Sequence, residues 1–114
     1  MGMELKIRAT GPLAIGELSG RFDTLENAKV SAWLDTLLAN NPGCILLNMS
    51  NVTFVDSSAL SLLVKYMKTC RQNNGDLIIC GLQSHVRVIF DLTRLDKVFR
   101  IFPTEEEALH ALPS

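Results

Sequence analysis

Long apolar runs are missing from this chain. No uninterrupted stretch approaches the ~18 residues that a bilayer-spanning helix needs, so no direct membrane insertion is expected. Charge of one sign is missing too: 11 basic residues stand against 12 acidic ones, for a net charge of −1. That balance excludes the basic footprint of a nucleic-acid or anionic-membrane binder. Cysteine is sparse. Cys44, Cys70 and Cys80 are odd in number, far apart and without CxxC spacing, which excludes a disulfide framework or zinc ribbon and fits reduced cysteines inside a cytosolic domain. The opening MGMELK has no basic-then-apolar leader pattern. Lys6 stands where a myristoylation signal has Ser or Thr.

Enzyme signatures are also lacking. A serine nucleophile needs a base and an orienting group, yet the chain has two histidines, His85 and His110, and no GxSxG elbow. There is no Gly-rich phosphate loop followed by Lys and no metal-ligand spacing of His, Cys and Asp. No enzyme, metal or cofactor is expected.

What the chain does have is a core. Its 114 residues, 47% apolar and 20% charged, suit one domain over 1–114 that buries roughly 65% of the unfolded surface. LKIRAT and LAIGEL read as two strands joined by a tight turn at Gly11-Pro12. GRFDTLENAKVSAWLDTLLANNPG reads as a helix. Asp23 and Glu26 have capping-box spacing, Val30, Trp33, Leu34, Leu37 and Leu38 form the apolar stripe, and Asn40-Asn41-Pro42-Gly43 ends it. CILLNM and DLIICGL are continuous apolar runs, as in strands covered on both faces. A helix between them runs to about Asn73, where Asn74-Gly75 stops it. Ser84 is placed to cap a helix HVRVIFDLT. KVFRIF is a last short strand, and Thr104 with Glu107 makes a capping box for a C-terminal helix. The order ββαβαβαβα predicts an α/β fold: a mixed sheet, an N-terminal hairpin plus parallel strands, covered by about four helices.

TFVDSSALSLLV, Thr53 to Val64, sets an acid and two hydroxyls at the joint between two pieces of core. On a helical wheel Ala59, Leu60, Leu62, Leu63, Val64, Tyr66, Met67 and Cys70 share one arc of about 200°, and Ser57, Ser58, Ser61, Lys65, Lys68 and Gln72 share the other. Asp56 or Ser57 is expected to cap this helix. Polar residues at the carboxyl end of a strand in an α/β sheet also mark ligand sites, so the joint reads as cap and candidate site together.

The segments NMSNVTFVDSSALSLLVKYMKTCRQNNGDLIICGL and DLTRLDKVFRIFPTEEEAL resemble the STAS domain family, in its anti-sigma factor antagonist (anti-anti-sigma factor) branch, and LSGRFD, Leu18 to Asp23, resembles the usual end of that family's second strand. The resemblance runs from about Leu5 to Leu112. It implies a non-catalytic bacterial phosphoprotein acting in signal transduction and transcription regulation by partner switching. Unphosphorylated, such a protein binds an anti-sigma factor that is also a serine kinase of the histidine-kinase-like ATPase type. Serine phosphorylation releases it, and a serine phosphatase resets it. Carried over by position, Ser57 is the phosphoacceptor, with Ser58 the runner-up. Asp23, Asp56, Ser57, Ser58, Ala59, Ser61, Leu62 and Lys65 form the partner surface. The resemblance implies a cytoplasmic monomer or weak dimer. Three departures stand out: Ala59 replaces a Gly and would add a methyl close to the partner surface, Arg94 replaces a turn Gly, and Asn48 replaces an acid. They keep open an alternative, a STAS subunit of a lipid or anion transport system working by protein contacts.

Overall fold

The computed structural model describes residues 2–9, 12–40 and 43–112. Strands β1 (Glu4–Ala9), β2 (Leu13–Phe22), β3 (Cys44–Val55), β4 (Asp76–Cys80) and β5 (Arg100–Phe102) form one sheet in the order β1-β2-β3-β4-β5. The β1/β2 pair is antiparallel and the other three pairs are parallel. Helices α1 (Asn27–Asn40), α2 (Ser57–Gln72), α3 (Ser84–Leu92) and α4 (Glu105–Ala111) complete the expected order. Gly11 of the expected hairpin turn, and Asn41 and Pro42 at the end of α1, lie outside the described residues.

The two apolar runs became central strands because both their faces are covered. Ile45, Leu47 and Met49 of β3 and Leu77 and Ile79 of β4 meet the stripes of α1, α2 and α3. Leu46, Ile78 and Cys80 point the other way and pack with Ala108 of α4. Val30, Leu34 and Leu37 of α1 are buried as the stripe predicts, with Trp33 and Leu38 at its half-buried edge. A Cβ on Gly16 would lie 2.4 Å from the Trp33 ring, so β2 lacks a side chain where the indole crosses it.

Several boundaries differ from the sequence reading. Gly20-Arg21-Phe22, helix by local pattern but the end of the second strand by the family resemblance, continues β2: Arg21 pairs with Phe54 and Phe22 with Val55. Phe22 is fully buried, so long-range pairing overrides a local helix signal. β3 likewise runs six residues past Met49 to Val55, following two register irregularities against β2. The Asp23/Glu26 pair does not make a reciprocal capping box. Asp23 accepts from Leu25 N at 3.1 Å and caps a 3-10 turn, Thr24–Glu26, while Glu26 Oε1 turns to Met3 N. Ser84 is the first residue inside α3 and Gln83 is its N-cap, without a side-chain capping bond; its amide donates instead to Ser50 O at 2.9 Å. The expected strand from Lys97 begins only at Arg100, after a 3-10 turn over Leu95–Lys97. Thr104 does cap α4, accepting from Glu107 N at 3.1 Å.

Two helices end in left-handed residues. At the end of α2, Asn74 has φ 64°, and the Gly75 and Asn74 N–H groups bond Cys70 O and Arg71 O at 2.8 and 3.2 Å. That is the doubled closure of a Schellman ending, with Asn rather than Gly in the left-handed position. Arg94 holds the same position after α3, also at φ 64°.

Candidate functional site

The carboxyl ends of β2 and β3 lie side by side, and the chain leaves β3 directly into α2. Asp56 is the joint. Its backbone is extended (φ −108°, ψ 178°), as an N-cap requires. Its N–H donates to Phe22 O at 3.3 Å, and its carbonyl accepts from Leu60 N at 3.1 Å. The side chain faces two elements at once. Oδ1 accepts from Ala59 N at 2.9 Å and Ser58 Oγ at 2.7 Å, while Oδ2 accepts from Thr24 N at 3.0 Å and Thr24 Oγ1 at 3.1 Å. One carboxylate thus starts α2 and pins the loop after β2 onto it. The Ser58 hydroxyl, then the Ala59 and Thr24 donors, hold its pKa down to about 2, against a smaller upward push from desolvation. Asp56 is ionised at any physiological pH.

The two serines after it differ sharply. Ser57 is exposed, and its hydroxyl has no hydrogen-bond partner among the described residues. Ser58 is half-buried. It donates to Asp56, lies 2.9 Å from Thr24 Oγ1, and accepts from Asn27 Nδ2 at 3.0 Å. Thr24 and Asn27 were not among the site residues inferred from sequence. Their only local signal is a polar Thr-x-x-Asn spacing at a helix start, which reads as capping material.

From Ser57 a groove of about 340 Å3 opens between α2 and the loop after α3, lined by Ser57, Leu60, Ser61, Val64, Thr93 and Leu95. A second, of about 390 Å3, continues from Ser61 and Val64 past Lys65 and Lys68. Ser57, Ser61 and Lys65 follow one another at four-residue spacing on this exposed strip, as the wheel requires. Leu62 is half-buried and joins the edge of the core. Asp23 is half-buried beside the site; its carboxylate turns back to Leu25 N and lies 3.8 Å from Arg21 Nε. Leu25, beside Thr24, is 87% exposed. His85 Nε2 lies 2.6 Å from Thr53 O at the end of β3, not on either serine.

Ala59 corrects one expectation. Its relative exposure is 0%, because the wheel turns position 59 into the core. The methyl that replaces the family's glycine packs inward and offers nothing to a docked partner. Asn48 also acquires a reason. Its Nδ2 donates to Glu105 Oε1 at 3.1 Å, and its Oδ1 accepts from Ser50 N and Oγ at 3.0 and 2.7 Å. Glu105 is held by Arg8, which lowers its pKa. An acid at 48 would face that carboxylate.

Among the described residues no group of three or more His, Cys, Asp or Glu is placed to hold a metal ion, and no helix is long and apolar enough to cross a membrane.

Comparison with known proteins agrees with this fold. An anti-sigma F factor antagonist of Paenibacillus polymyxa is 26% identical, covering 98% of this chain and 97% of its own. The anti-sigma factor antagonist SpoIIAA of Bacillus superposes in its unphosphorylated form with a TM-score of 0.79, at 20% identity over 97% of this chain and all of that one; its phosphorylated form gives 0.71. A sulfate transporter family protein from Wolinella succinogenes shares the fold with a TM-score of 0.76, at 18% identity over 90% of this chain and 87% of that one. The STAS domain model matches residues 4–108, and with the five-stranded mixed sheet and its four helices this makes the chain a member of the STAS domain family.

Proposed function

We propose that this protein is an anti-sigma factor antagonist, a non-catalytic module that binds an anti-sigma factor when unphosphorylated and is released by phosphorylation at Ser57. The observation that carries the reading is the contrast at the α2 N-terminus: an exposed Ser57 hydroxyl, unpartnered among the described residues, beside an ionised Asp56, at the head of an open groove. End-to-end similarity to an anti-sigma F factor antagonist supports it.

Ser57 sits where the helix dipole and free N–H groups favour an anion. A phosphate there leaves the fold intact. It adds a charge of about −1.5 to −2 next to Asp56, on the surface formed by Asp23, Asp56, Ser57, Ser58, Ser61, Leu62 and Lys65. At a docked interface the added charge brings repulsion and a desolvation cost. A loss of ~2–5 kcal/mol weakens binding by roughly 30- to several-thousand-fold.

Asp56 does not serve as the base for phosphoryl transfer. Both its oxygens are occupied by donors, and a group with a pKa of about 2 holds protons poorly. The Ser57 proton therefore goes to the kinase. We take that kinase to be the anti-sigma factor itself, of the histidine-kinase-like ATPase type, with a serine phosphatase for the reset, all in the cytoplasm. The transport-subunit alternative rests on shared fold alone, through the Wolinella protein.

The test is to incubate the protein with ATP and the serine kinase encoded nearest to it, and map the product by mass spectrometry. Phosphate on Ser57 is expected. Tight kinase binding with no phosphate on any serine would refute the phosphoswitch.

A further inference from the structure

We propose that Thr24 and Asn27 confine phosphoryl transfer to Ser57 by holding the neighbouring Ser58 hydroxyl out of reaction, so that the loop after β2 selects between two adjacent serines. The proposal rests on the phosphoswitch reading above and adds to it the residues that set its specificity.

Acceptor chemistry states what a competent hydroxyl needs. Its Oγ forms a bond to the γ-phosphorus of ATP, and the bond from that phosphorus to the β,γ-bridging oxygen breaks. ADP leaves with the electron pair, and the hydroxyl proton passes to a base on the kinase. The acceptor therefore needs a lone pair aimed outward and a proton the kinase can reach. Ser57 has both, being exposed and unpartnered among the described residues. Ser58 has neither. It donates its proton to Asp56 Oδ1 at 2.7 Å and accepts from Asn27 Nδ2 at 3.0 Å, while Thr24 Oγ1, 2.9 Å away, has one proton to divide between Ser58 Oγ and Asp56 Oδ2. To react, Ser58 must leave all three contacts. Each net hydrogen bond is worth about 2- to 10-fold, so the bonds to Asp56 and Asn27 hold Ser58 back by roughly 4- to 100-fold.

Asn27 supplies an independent pointer. Its Oδ1 is buried without a partner, which is unfavourable in itself. Asn is also a weak helix former, and here it opens α1. The side chain is poorly placed for stability, yet it delivers its amide to Ser58. Thr24 contributes in two ways: its backbone N–H anchors Asp56, and its hydroxyl lies within hydrogen-bonding distance of both Asp56 and Ser58.

The experiment uses four versions of this chain with the serine kinase encoded nearest to it and ATP, mapping phosphate by mass spectrometry: wild type, Ser57→Ala, Thr24→Val/Asn27→Ala, and the three substitutions combined. Thr24→Val keeps the β-branched shape and the backbone N–H. Asn27→Ala removes a buried unpaired oxygen, so both are expected to fold, which thermal unfolding checks. The expected pattern is phosphate on Ser57 in wild type, almost none on Ser57→Ala, and a gain at Ser58 of roughly 2- to 10-fold in the combined variant over Ser57→Ala. Ser58 phosphorylation in Ser57→Ala at the wild-type Ser57 rate would overturn the lock. So would an unmodified combined variant alongside a modified wild type, an outcome that leaves the phosphoswitch standing. An unmodified wild type overturns the phosphoswitch itself and the lock with it. A readout without kinase is the Asp56 carboxyl titration by 13C NMR. Thr24→Val is expected to raise its midpoint, and an unmoved midpoint contradicts the network.

Discussion

Replacing Asp56 by Ala removes the joint between α2 and the loop after β2, and its cost follows from the bonds lost. The side chain accepts from Ala59 N, Ser58 Oγ, Thr24 N and Thr24 Oγ1. Loss of an N-cap costs about 1 kcal/mol. Loss of a charged acceptor for the Thr24 and Ser58 donors adds roughly 1–2 kcal/mol at a half-exposed site. Asp56→Ala is therefore expected to destabilise by about 2–3 kcal/mol, or roughly 10 °C in Tm for a domain of this size. Asp56→Asn keeps a capping oxygen and is expected to lose about half as much. The effect also carries a pH signature. The folded pKa of about 2 lies below the ordinary 3.8, so this carboxylate's contribution is complete above about pH 4 and is lost as pH falls through 2. The gap between wild type and Asp56→Ala should narrow over that window. Urea denaturation from pH 7 to pH 2 measures both effects. A neutral-pH cost under 0.5 kcal/mol (a rough threshold, at the low end of the range for an N-cap), or a gap that does not narrow between pH 4 and 2, would refute the joint.

Other substitutions test other parts of the account. Asn48→Asp sets a carboxylate against Glu105 and is expected to destabilise by roughly 1–3 kcal/mol at pH 7; because protonation relieves the clash, the loss should shrink toward pH 4 in the same urea assay. Arg94→Gly relieves a left-handed backbone at φ 64° and should stabilise by about 1 kcal/mol, seen as a rise in Tm; a fall in Tm would mean the Arg94 side chain makes a stabilising contact. Gly16→Ala drives a methyl to within 2.4 Å of Trp33, with an expected cost of about 1–3 kcal/mol and a changed emission from the single tryptophan.

The fold was largely legible because its strongest signals are local. The continuous apolar runs CILLNM and DLIICGL suit strands covered on both faces, which they are, and the α2 wheel divided buried from exposed residues nearly as observed. What stayed illegible depends on residues far apart in sequence. Gly20 to Phe22 extend β2 because Arg21 and Phe22 find Phe54 and Val55 across the sheet, a pairing no local pattern reveals. The site was half legible. Asp56 and Ser57 announce themselves at a strand–helix joint, but the difference between Ser57 and Ser58 is made by Thr24 and Asn27, some thirty residues earlier in the chain. Ala59 shows the converse. The family comparison marked it as a change at the partner surface, while the helical wheel had already placed it in the buried arc, and the wheel was right.

The central claim is that a phosphate on Ser57 changes the surface without changing the fold. It is tested most directly by titrating the anti-sigma factor proposed as its partner with two forms of this protein, unmodified and carrying phosphoserine installed at position 57 during synthesis. Calorimetry should show binding weakened by roughly 30-fold or more, while amide NMR shifts away from the α2 N-terminus stay in place. Equal affinity of the two forms, or a phosphorylated chain that unfolds, would contradict it.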